Sequence, residues 1–307
     1  AVGGNAHIKG ELLDIARLIQ SGDRTRAPMG LLAVGPMGAG KTFVIKAFLR
    51  EAGLSGIALK NFRSKWVGST EANLERVLAT VKAMGPIALV IDEGDRSFGR
   101  QSEDSDGGTS SRVIARLKEF MSDPENRGQV LFILMTNRPD RLDTDIKRPG
   151  RLDRKIPFFY AETAAERAAV VSAVLKRYGV PVDLPEGSLL AACEALEGYS
   201  NADLEALALL ATEFAERAPR SRPVELPAAP AASATPAPAA PAAVTPALLA
   251  LAIEDFMPPQ ETTMVRYMEM LAVAETSRRS LLPQRFRSLS AGEVQERLAE
   301  LRRQIPP

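Results

Sequence analysis

The chain has 307 residues, of which 45% are hydrophobic and 25% are charged. These are the values of a globular protein, and the length allows one large domain and a smaller one. The net charge of +1 provides no general attraction to nucleic acid or to anionic membranes. The single cysteine, Cys193, excludes an internal disulfide and fits a reducing compartment. Because no apolar run reaches the length of a bilayer span, we expect a soluble, cytoplasmic protein.

The first half of the chain alternates helical patterns with short apolar runs. Apolar residues recur at helical spacing from Ile8 to Ile19, which predicts an amphipathic helix. Five β-rich or apolar runs follow, at residues 31–34, 57–59, 87–91, 130–135 and 155–159. Their alternation with helical patterns predicts an α/β fold, a parallel five-stranded sheet with helices on both faces.

After about residue 160 the strand signals end and helical signals take over. Thr163 with Glu166 and Ser200 with Asp203 have the spacing of helix-capping pairs. Residues 218–246 then contain eight prolines among many alanines, which favours an exposed, semi-rigid loop. Helical patterns return in three later stretches, at residues 247–256, 262–276 and 290–304, the last beginning with the capping pair Ser290 and Glu293.

A glycine-rich loop lies between the first predicted strand and a helical stretch. It consists of Gly35, Pro36, Met37, Gly38, Ala39, Gly40, Lys41 and Thr42. This is the G-x-x-x-x-G-K-[ST] pattern in the strand–loop–helix setting that phosphate binding requires. Backbone N–H groups and the helix N-terminus favour phosphate oxygens, Lys41 would reach the β- and γ-phosphates, and Thr42 would ligate Mg²⁺. The loop therefore predicts a nucleotide site.

Two adjacent carboxylates, Asp92 and Glu93, directly follow the apolar run from Ile87 to Ile91. A run that is apolar throughout is typical of a strand buried on both faces, and open parallel sheets bind ligands at the carboxyl ends of their strands. Asp92 is placed to hold the Mg²⁺ shell, and Glu93 can polarise the water that attacks the γ-phosphate. A lone Asp-Glu pair is a weak signal, but downstream of a phosphate loop it becomes a strong one.

These motifs resemble, in their order, those of the AAA+ ATPases, and specifically the AAA clade of protein remodellers. The resemblance covers residues 1 to about 257 and implies ATP and Mg²⁺ as ligands. Val2-Gly3-Gly4 is similar to the segment that opens AAA modules and borders the adenine, so Gly3 and Gly4 are expected at the nucleotide. Gly198 to Leu204 resembles the lid signature of a clade that lacks the sensor-2 arginine.

The resemblance also implies a division of the chain into three parts. Residues 1–160 would form the large nucleotide-binding domain, and residues 161–260 a small helical lid that contains the Pro/Ala-rich insertion at 218–246. Residues 261–307 would form a C-terminal helical extension, which we expect to pack on the lid or on a neighbouring subunit.

Two further segments of the resemblance supply catalytic residues. Leu131 to Pro139 resembles the sensor-1 strand, in which Asn137 matches the polar residue that orients the attacking water. The segment Arg148-Pro149-Gly150-Arg151-Leu152-Asp153 resembles the arginine-finger segment. By that match Arg148 and Arg151 would reach the γ-phosphate bound by a neighbouring subunit, which implies a homo-oligomer in the form of a hexameric ring. The competing interpretation is that these arginines form surface ion pairs.

The stretch Lys65-Trp66-Val67-Gly68 resembles the pore loop of AAA threading machines. Trp66 is the only tryptophan of the chain, and an aromatic face can grip diverse side chains without specific hydrogen bonds. A tryptophan is more often a core anchor, but core strands do not flank it with a lysine and a glycine. Lys65, Trp66 and Val67 are therefore expected to contact a polypeptide client in the central channel.

The leading hypothesis is a ring-shaped ATPase that unfolds or remodels protein. One alternative is a nucleic-acid-associated AAA+ switch of the clamp-loader kind, which predicts a basic surface stripe. Basic residues cluster only in the C-terminal tail, where glutamates partly offset them, so this alternative ranks lower. The other alternative is a nucleotide-gated scaffold, which the presence of Glu93, Asn137, Arg148 and Arg151 argues against. We expect no membrane partner.

Overall fold

The computed structural model describes residues 3–59, 71–98, 109–185, 187–217, 243–259 and 262–305. The chain divides into two compact units. The α/β unit comprises Asn5–Phe159 and Gln260–Pro307, and the helical unit comprises Ala1–Gly4 and Tyr160–Pro259. Among the described residues, no helix is long and apolar enough to cross a bilayer.

The α/β unit is built on a five-stranded, wholly parallel sheet. Its strands in chain order are β1 (Gly30–Val34), β2 (Ser55–Ala58), β3 (Ile87–Ile91), β4 (Val130–Thr136) and β5 (Arg154–Pro157). Their spatial order is β2-β3-β4-β1-β5. Every residue of β1 and β4 is buried, because helices cover both faces of the sheet. The predicted α/β class and the five parallel strands are confirmed.

Helices of the α/β unit alternate with the strands and then continue after residue 261. The first five are α1 (Ala6–Gln20), α2 (Lys41–Ala52), α3 (Glu71–Ala83), α4 (Gly94–Phe98) and α5 (Thr109–Ser122). Those of the helical unit are α6 (Ala164–Arg177), α7 (Ser188–Glu194), α8 (Asn201–Arg217) and α9 (Pro246–Asp255). The C-terminal extension forms α10 (Thr262–Glu275), α11 (Gln284–Arg287) and α12 (Ala291–Gln304).

The C-terminal extension belongs to the α/β unit, rather than packing on the lid as one sequence expectation had it. Met270 and Val273 of α10, Phe286 of α11 and Val294 of α12 lie in the same hydrophobic core as the buried side chains of the sheet. These apolar side chains are removed from water when they pack against the buried side chains of the sheet, and this burial favours the arrangement. Gly3 and Gly4 likewise cluster with the helical unit instead of the sheet.

The helical unit has a separate core of small and aliphatic side chains. Val171, Leu204, Leu207 and Ala208 are fully buried between α6 and α8. Cys193 is buried in the same core, where desolvation raises the pKa of its thiol. A packed, un-ionised thiol at this position fits a structural role for Cys193.

Three helix starts follow the capping pairs that were predicted from the sequence. Thr163 and Glu166 form a reciprocal capping box at the start of α6, and Ser290 and Glu293 form another at the start of α12. At α8 the backbone N–H of Asp203 donates to Ser200 Oγ at 3.0 Å, and the Ser200 N–H donates to the Asp203 carboxylate at 2.9 Å. These pairs satisfy N–H groups that the first helical turn leaves without partners.

Candidate active site

Three of the predicted motifs come together at the carboxyl edge of the sheet. The glycine loop follows β1, Asn137 follows β4, and Asp92-Glu93 follows β3. Strand β4 lies between β1 and β3, with Val34 paired to Thr136 and Ile91 paired to Leu134. Parallel strands in this register necessarily end side by side, and the crevice outside such ends is where α/β sheets bind ligands.

The glycine loop is held close to the segment that follows β5. A Cβ placed on Gly35 would overlap the carbonyl oxygen of Phe158, so this position admits no side chain without moving the backbone. Buried Asn5 supports the loop from a second direction, because its Nδ2 donates to the Ala39 carbonyl at 3.1 Å and its Oδ1 accepts from the Phe159 N–H at 3.4 Å. Asn5 was not identified from the sequence, where its only signal is a polar residue just before a helix.

Lys41 links the glycine loop to the end of β4. Its Nζ donates to the carbonyl oxygens of Gly35 and Pro36, both at 2.8 Å, and to Asn137 Oδ1 at 2.6 Å. Burial lowers the pKa of Lys41 to about 8, although the carboxylates of Asp92 and Asp95 favour its charged form. The partners of this ammonium group at the loop and at Asn137 are neutral oxygens. The site therefore holds a desolvated cation for which an anionic ligand would be a better partner.

Thr42 and Asp92 present the oxygen ligands that a magnesium ion prefers. Thr42 Oγ1 lies 3.4 Å from Asp92 Oδ2, and both residues are exposed. Mg²⁺ usually binds through one or two protein oxygens together with substrate phosphates and water, so this small set fits the ion. Within the described residues no group of three or more acidic, histidine or cysteine side chains could hold a metal ion.

Glu93 sits in a backbone conformation that is rare for its residue type. Its φ of 52° lies in the left-handed region, and its N–H donates to Asp92 Oδ1 at 2.9 Å. Such a conformation costs on the order of 1–3 kcal/mol and persists where the surroundings hold it, often at functional sites.

Gly94, which directly follows Glu93, has no room for a side chain. In the structure a Cβ at Gly94 would lie 2.6 Å from Leu134 Cγ and closer still to one of its methyl groups. Leu134 is fully buried in β4, so the larger side chain on β4 occupies the volume that Gly94 leaves.

Asp95 and Arg138 extend the site beyond the predicted residues. Thr136 Oγ1 donates to Asp95 Oδ1 at 2.6 Å and accepts from the Arg138 N–H at 3.0 Å. Arg138 in turn forms a two-point pair with Asp140, at 3.0 and 2.8 Å. These contacts connect the end of β4 to the start of α4. Their signal in the sequence is Asp95, an acidic residue shortly after Asp92 and Glu93, and this signal predicts little until the fold is known.

The two arginines of the predicted finger segment have different surroundings. The Arg148 side chain is 72% exposed and lies 3.5 Å from Asp145 Oδ1. The Arg151 side chain is only 19% exposed. It pairs with the Asp145 carboxylate, donates to the Asp145 carbonyl at 2.9 Å and donates from Nε to Ser122 Oγ at 2.6 Å. The hydrogen bond from Arg151 lowers the pKa of Asp145 below its ordinary value.

The remaining predicted residues are not part of this cluster of described side chains. Gly3 and Gly4 belong to the helical unit, where a Cβ on Gly3 would lie 2.6 Å from the Val170 Cα of α6. Their predicted place beside the adenine therefore stays a prediction. The pore-loop residues Lys65, Trp66 and Val67 lie outside the described residues.

A strand–glycine loop–helix unit with a buried lysine, set at the carboxyl edge of a parallel sheet, defines a P-loop nucleotide-binding domain. Residues 31–160 match the family model described as "ATPase family associated with various cellular activities (AAA)". This segment of the chain is therefore a domain of the AAA ATPase family.

Curated proteins with related sequences are also ATPases or carry names from this family. The chain is 30% identical over 214 residues to a cell division cycle protein 48 homolog of Archaeoglobus fulgidus, covering 67% of this chain and 29% of that protein. It is 30% identical over 217 residues to the peroxisomal ATPase PEX6 of Eremothecium gossypii, covering 67% of this chain and 21% of that protein. It is 36% identical over 193 residues to Protein SAV of Sulfolobus acidocaldarius, covering 62% of this chain and 24% of that protein. The chain thus spans less than a third of the length of these relatives.

The lowered pKa of Lys41 leads to an expected pH dependence of nucleotide binding. The native side chain loses its proton near pH 8, whereas an unfolded lysine does so near 10.5. Between these values the unfolded chain binds more protons, so this residue makes stability rise with pH. A bound triphosphate acts in the opposite direction, because it favours the charged ammonium. ATP binding at pH 9 should therefore take up protons, and the affinity should fall by up to about tenfold for one pH unit above the pKa.

Isothermal titration calorimetry at pH 7 and pH 9, in buffers with different ionisation enthalpies, measures this uptake. The Lys41→Arg variant is the control, because its guanidinium stays charged throughout. Identical apparent enthalpies in both buffers at pH 9 would show that Lys41 is already charged in the free protein.

Proposed function

We propose that this chain hydrolyses ATP at a site shared between neighbouring copies of itself and uses the cycle to unfold or remodel protein. The observation that carries the ATPase part is the convergence of Lys41, Asn137, Thr42 and Asp92 at the ends of three adjacent strands. Membership of the AAA ATPases supports hydrolysis at this site.

Each residue of the cluster has a defined task in this proposal. The backbone N–H groups of residues 37–40 and the N-terminus of α2 bind the phosphates. Lys41 gives up its hydrogen bonds to the loop carbonyls and bonds to the β- and γ-phosphates instead. Thr42 and Asp92 hold Mg²⁺, which supplies positive charge against the phosphate oxygens. Glu93 polarises the attacking water as general base, and the Asn137 amide, now bonded to Lys41, orients that water.

The arginine segment completes the site of the neighbouring subunit. Phosphoryl transfer spreads negative charge over the equatorial oxygens, and a guanidinium supplied from a partner stabilises that charge. The exposure of Arg148 supports it as the arginine that reaches across, and the contacts of Arg151 to Asp145 and Ser122 support a positioning role in its own protomer. This division refines the sequence expectation, in which both arginines reached the phosphate.

The remodelling part of the proposal depends on the aromatic loop and on the relatives. Trp66, flanked by Lys65 and Val67, is proposed to grip a polypeptide in the channel of a ring, which we propose to be hexameric. Relatives named for cell division cycle protein 48 and the peroxisomal ATPase belong to the same family of ATPases. A cytoplasmic location stays a prediction from composition.

Imaging the assembly with a slowly hydrolysed ATP analogue, paired with an unfolding assay, tests the proposal. We expect a closed ring that causes ATP-dependent loss of fluorescence from a green fluorescent protein carrying an unstructured tail. Trp66→Ala should abolish unfolding while ATP turnover continues, and Trp66→Tyr, which keeps an aromatic face, should retain it. A monomer, or equal unfolding by Trp66→Ala and the unmodified chain, would contradict the remodelling function.

A further inference from the structure

The last residue of α10, Glu275, contacts two lysines that flank the arginine segment. Glu275 pairs through Oε1 with Lys147, and its Oε2 lies 3.1 Å from Lys155 Nζ on β5. Lys147 also donates to the Pro139 carbonyl at 3.0 Å. The next residue in the chain after Lys147 is Arg148.

This ion-pair group is largely, but not wholly, removed from solvent. The side chains of Glu275 and Lys147 are each 15% exposed, and that of Lys155 is 25% exposed. Fully exposed surface pairs contribute little because water screens them and their side chains lose entropy. A half-buried carboxylate between two ammonium groups contributes more, because removing its charge leaves two half-buried cations without their counter-charge. The group can therefore hold the backbone at Lys147 in place.

The same helix also contacts the segment that follows Asn137. Tyr267 OH lies 3.4 Å from Asp140 Oδ2, and the Arg138 guanidinium lies over the Tyr267 ring at 5.3 Å from its centre. Asp140 is the residue that pairs with Arg138 through two hydrogen bonds. Helix α10 thus contacts two loops that the proposed function uses, the loop after β4 and the arginine segment.

We propose that Glu275 is a positioning residue for Arg148, acting through Lys147 on the backbone of the arginine segment. The inference rests on the proposed function, in which Arg148 serves the site of a neighbouring subunit. The Arg148 side chain is exposed, and its ion pair with Asp145, at 3.5 Å, restrains it weakly. The inference gives the C-terminal extension the function of positioning this residue. A displacement of about 1 Å of a reacting group can cost about 10²-fold in rate, so a modest shift of this segment is enough to slow turnover.

Steady-state kinetics of Glu275→Gln test the positioning role. The variant keeps the size of the side chain and removes its charge. We expect kcat for ATP hydrolysis to fall by about tenfold, which is less than the loss caused by a full misplacement of about 1 Å. The Kd for an ATP analogue and the far-UV circular dichroism spectrum should be those of the unmodified chain. Glu300→Gln, the same change at an exposed position of α12, should leave kcat unchanged.

Lys155→Met separates the two partners of the carboxylate. It removes the β5 partner and leaves the pair between Glu275 and Lys147, so turnover should stay within about twofold of the unmodified chain, as for a change outside the reacting geometry. A loss as large as that of Glu275→Gln would show that the route does not run through Lys147, and it would overturn the inference.

Mixed assemblies distinguish a fault in the arginine segment from a fault in the subunit's own nucleotide site. Glu93→Gln subunits cannot hydrolyse ATP but carry an intact Arg148, which they offer to their neighbours. Added in excess to Glu275→Gln subunits, they should raise turnover per Glu275→Gln subunit towards the unmodified value. An excess of the same subunits should also raise the turnover of Arg148→Ala subunits.

The pattern of recovery shows which claim fails. If Arg148→Ala recovers and Glu275→Gln does not, sites are shared but Glu275 does not position Arg148, and the inference is wrong. If neither variant recovers, arginines are not exchanged between subunits, and the shared site of the proposed function is wrong together with the inference. Recovery of both supports both.

Discussion

Glu93→Gln is expected to lower ATP turnover by about 10²-fold or more while ATP binding is retained. The change removes the carboxylate that polarises water, and general-base contributions of this kind are about 10²–10⁴-fold. It leaves Lys41, Thr42 and Asp92 in place, so the phosphate site is unaltered. A phosphate-release assay under saturating ATP, together with binding of a fluorescent ATP analogue, measures the two properties separately.

The matched control for this change is Glu51→Gln, an exposed glutamate at the end of α2. It removes one carboxylate from the same unit and should leave turnover unaltered. Equal turnover of Glu93→Gln and the unmodified chain would refute the assignment of Glu93 as base. Negligible turnover of the unmodified chain itself would make the nucleotide-gated scaffold the better description of the protein.

Arg148→Ala should lower turnover by about 10³-fold, the lower end of the effect of an arginine supplied to a phosphoryl-transfer site. Because the side chain is 72% exposed, its removal should leave the thermal unfolding temperature unaltered. Arg151→Ala is expected to act differently. It removes the hydrogen bonds to Ser122 and Asp145 and should lower the free energy of unfolding by about 1 kcal/mol, the net contribution of a typical intramolecular hydrogen bond.

Arg141→Ala is the control for Arg148→Ala, since Arg141 is an exposed arginine a short distance earlier in the chain. Turnover measured over a dilution series adds an independent test, because a shared site loses activity when subunits separate. If dilute monomers hydrolyse ATP as fast as the assembly, or if Arg148→Ala leaves the rate unaltered, neighbouring copies do not complete each other's sites.

Features that depend on neighbouring residues could be predicted from the sequence. The glycine loop is one, since its pattern, its preceding apolar strand and its following helix all lie between residues 29 and 52. The capping pairs at α6, α8 and α12 are another, because the side chain that caps a helix and the N–H group that it satisfies are three residues apart. Backbone geometry alone determines such contacts once the helix forms.

Contacts between distant parts of the chain were beyond sequence reasoning. Lys41 and Asn137 are 96 residues apart, and Lys147 and Glu275 are 128 residues apart. The difference between Arg148 and Arg151 depends on Asp145 and Ser122, which no spacing rule connects to them. The apolar face of α10 did not predict that this helix is buried beside the sheet. Such a face can pack equally well against the lid, a partner subunit or the core of the α/β unit.

By itself the sequence determined the class of the protein: a parallel α/β domain with a phosphate loop, an acidic strand end and an arginine segment in the order of the AAA ATPases. Only the tertiary structure decided which of these groups meet, which arginine stays exposed and where the C-terminal helices pack. The physical reason is that local backbone preferences act over a few residues, whereas burial and charge pairing are settled between surfaces that folding brings together.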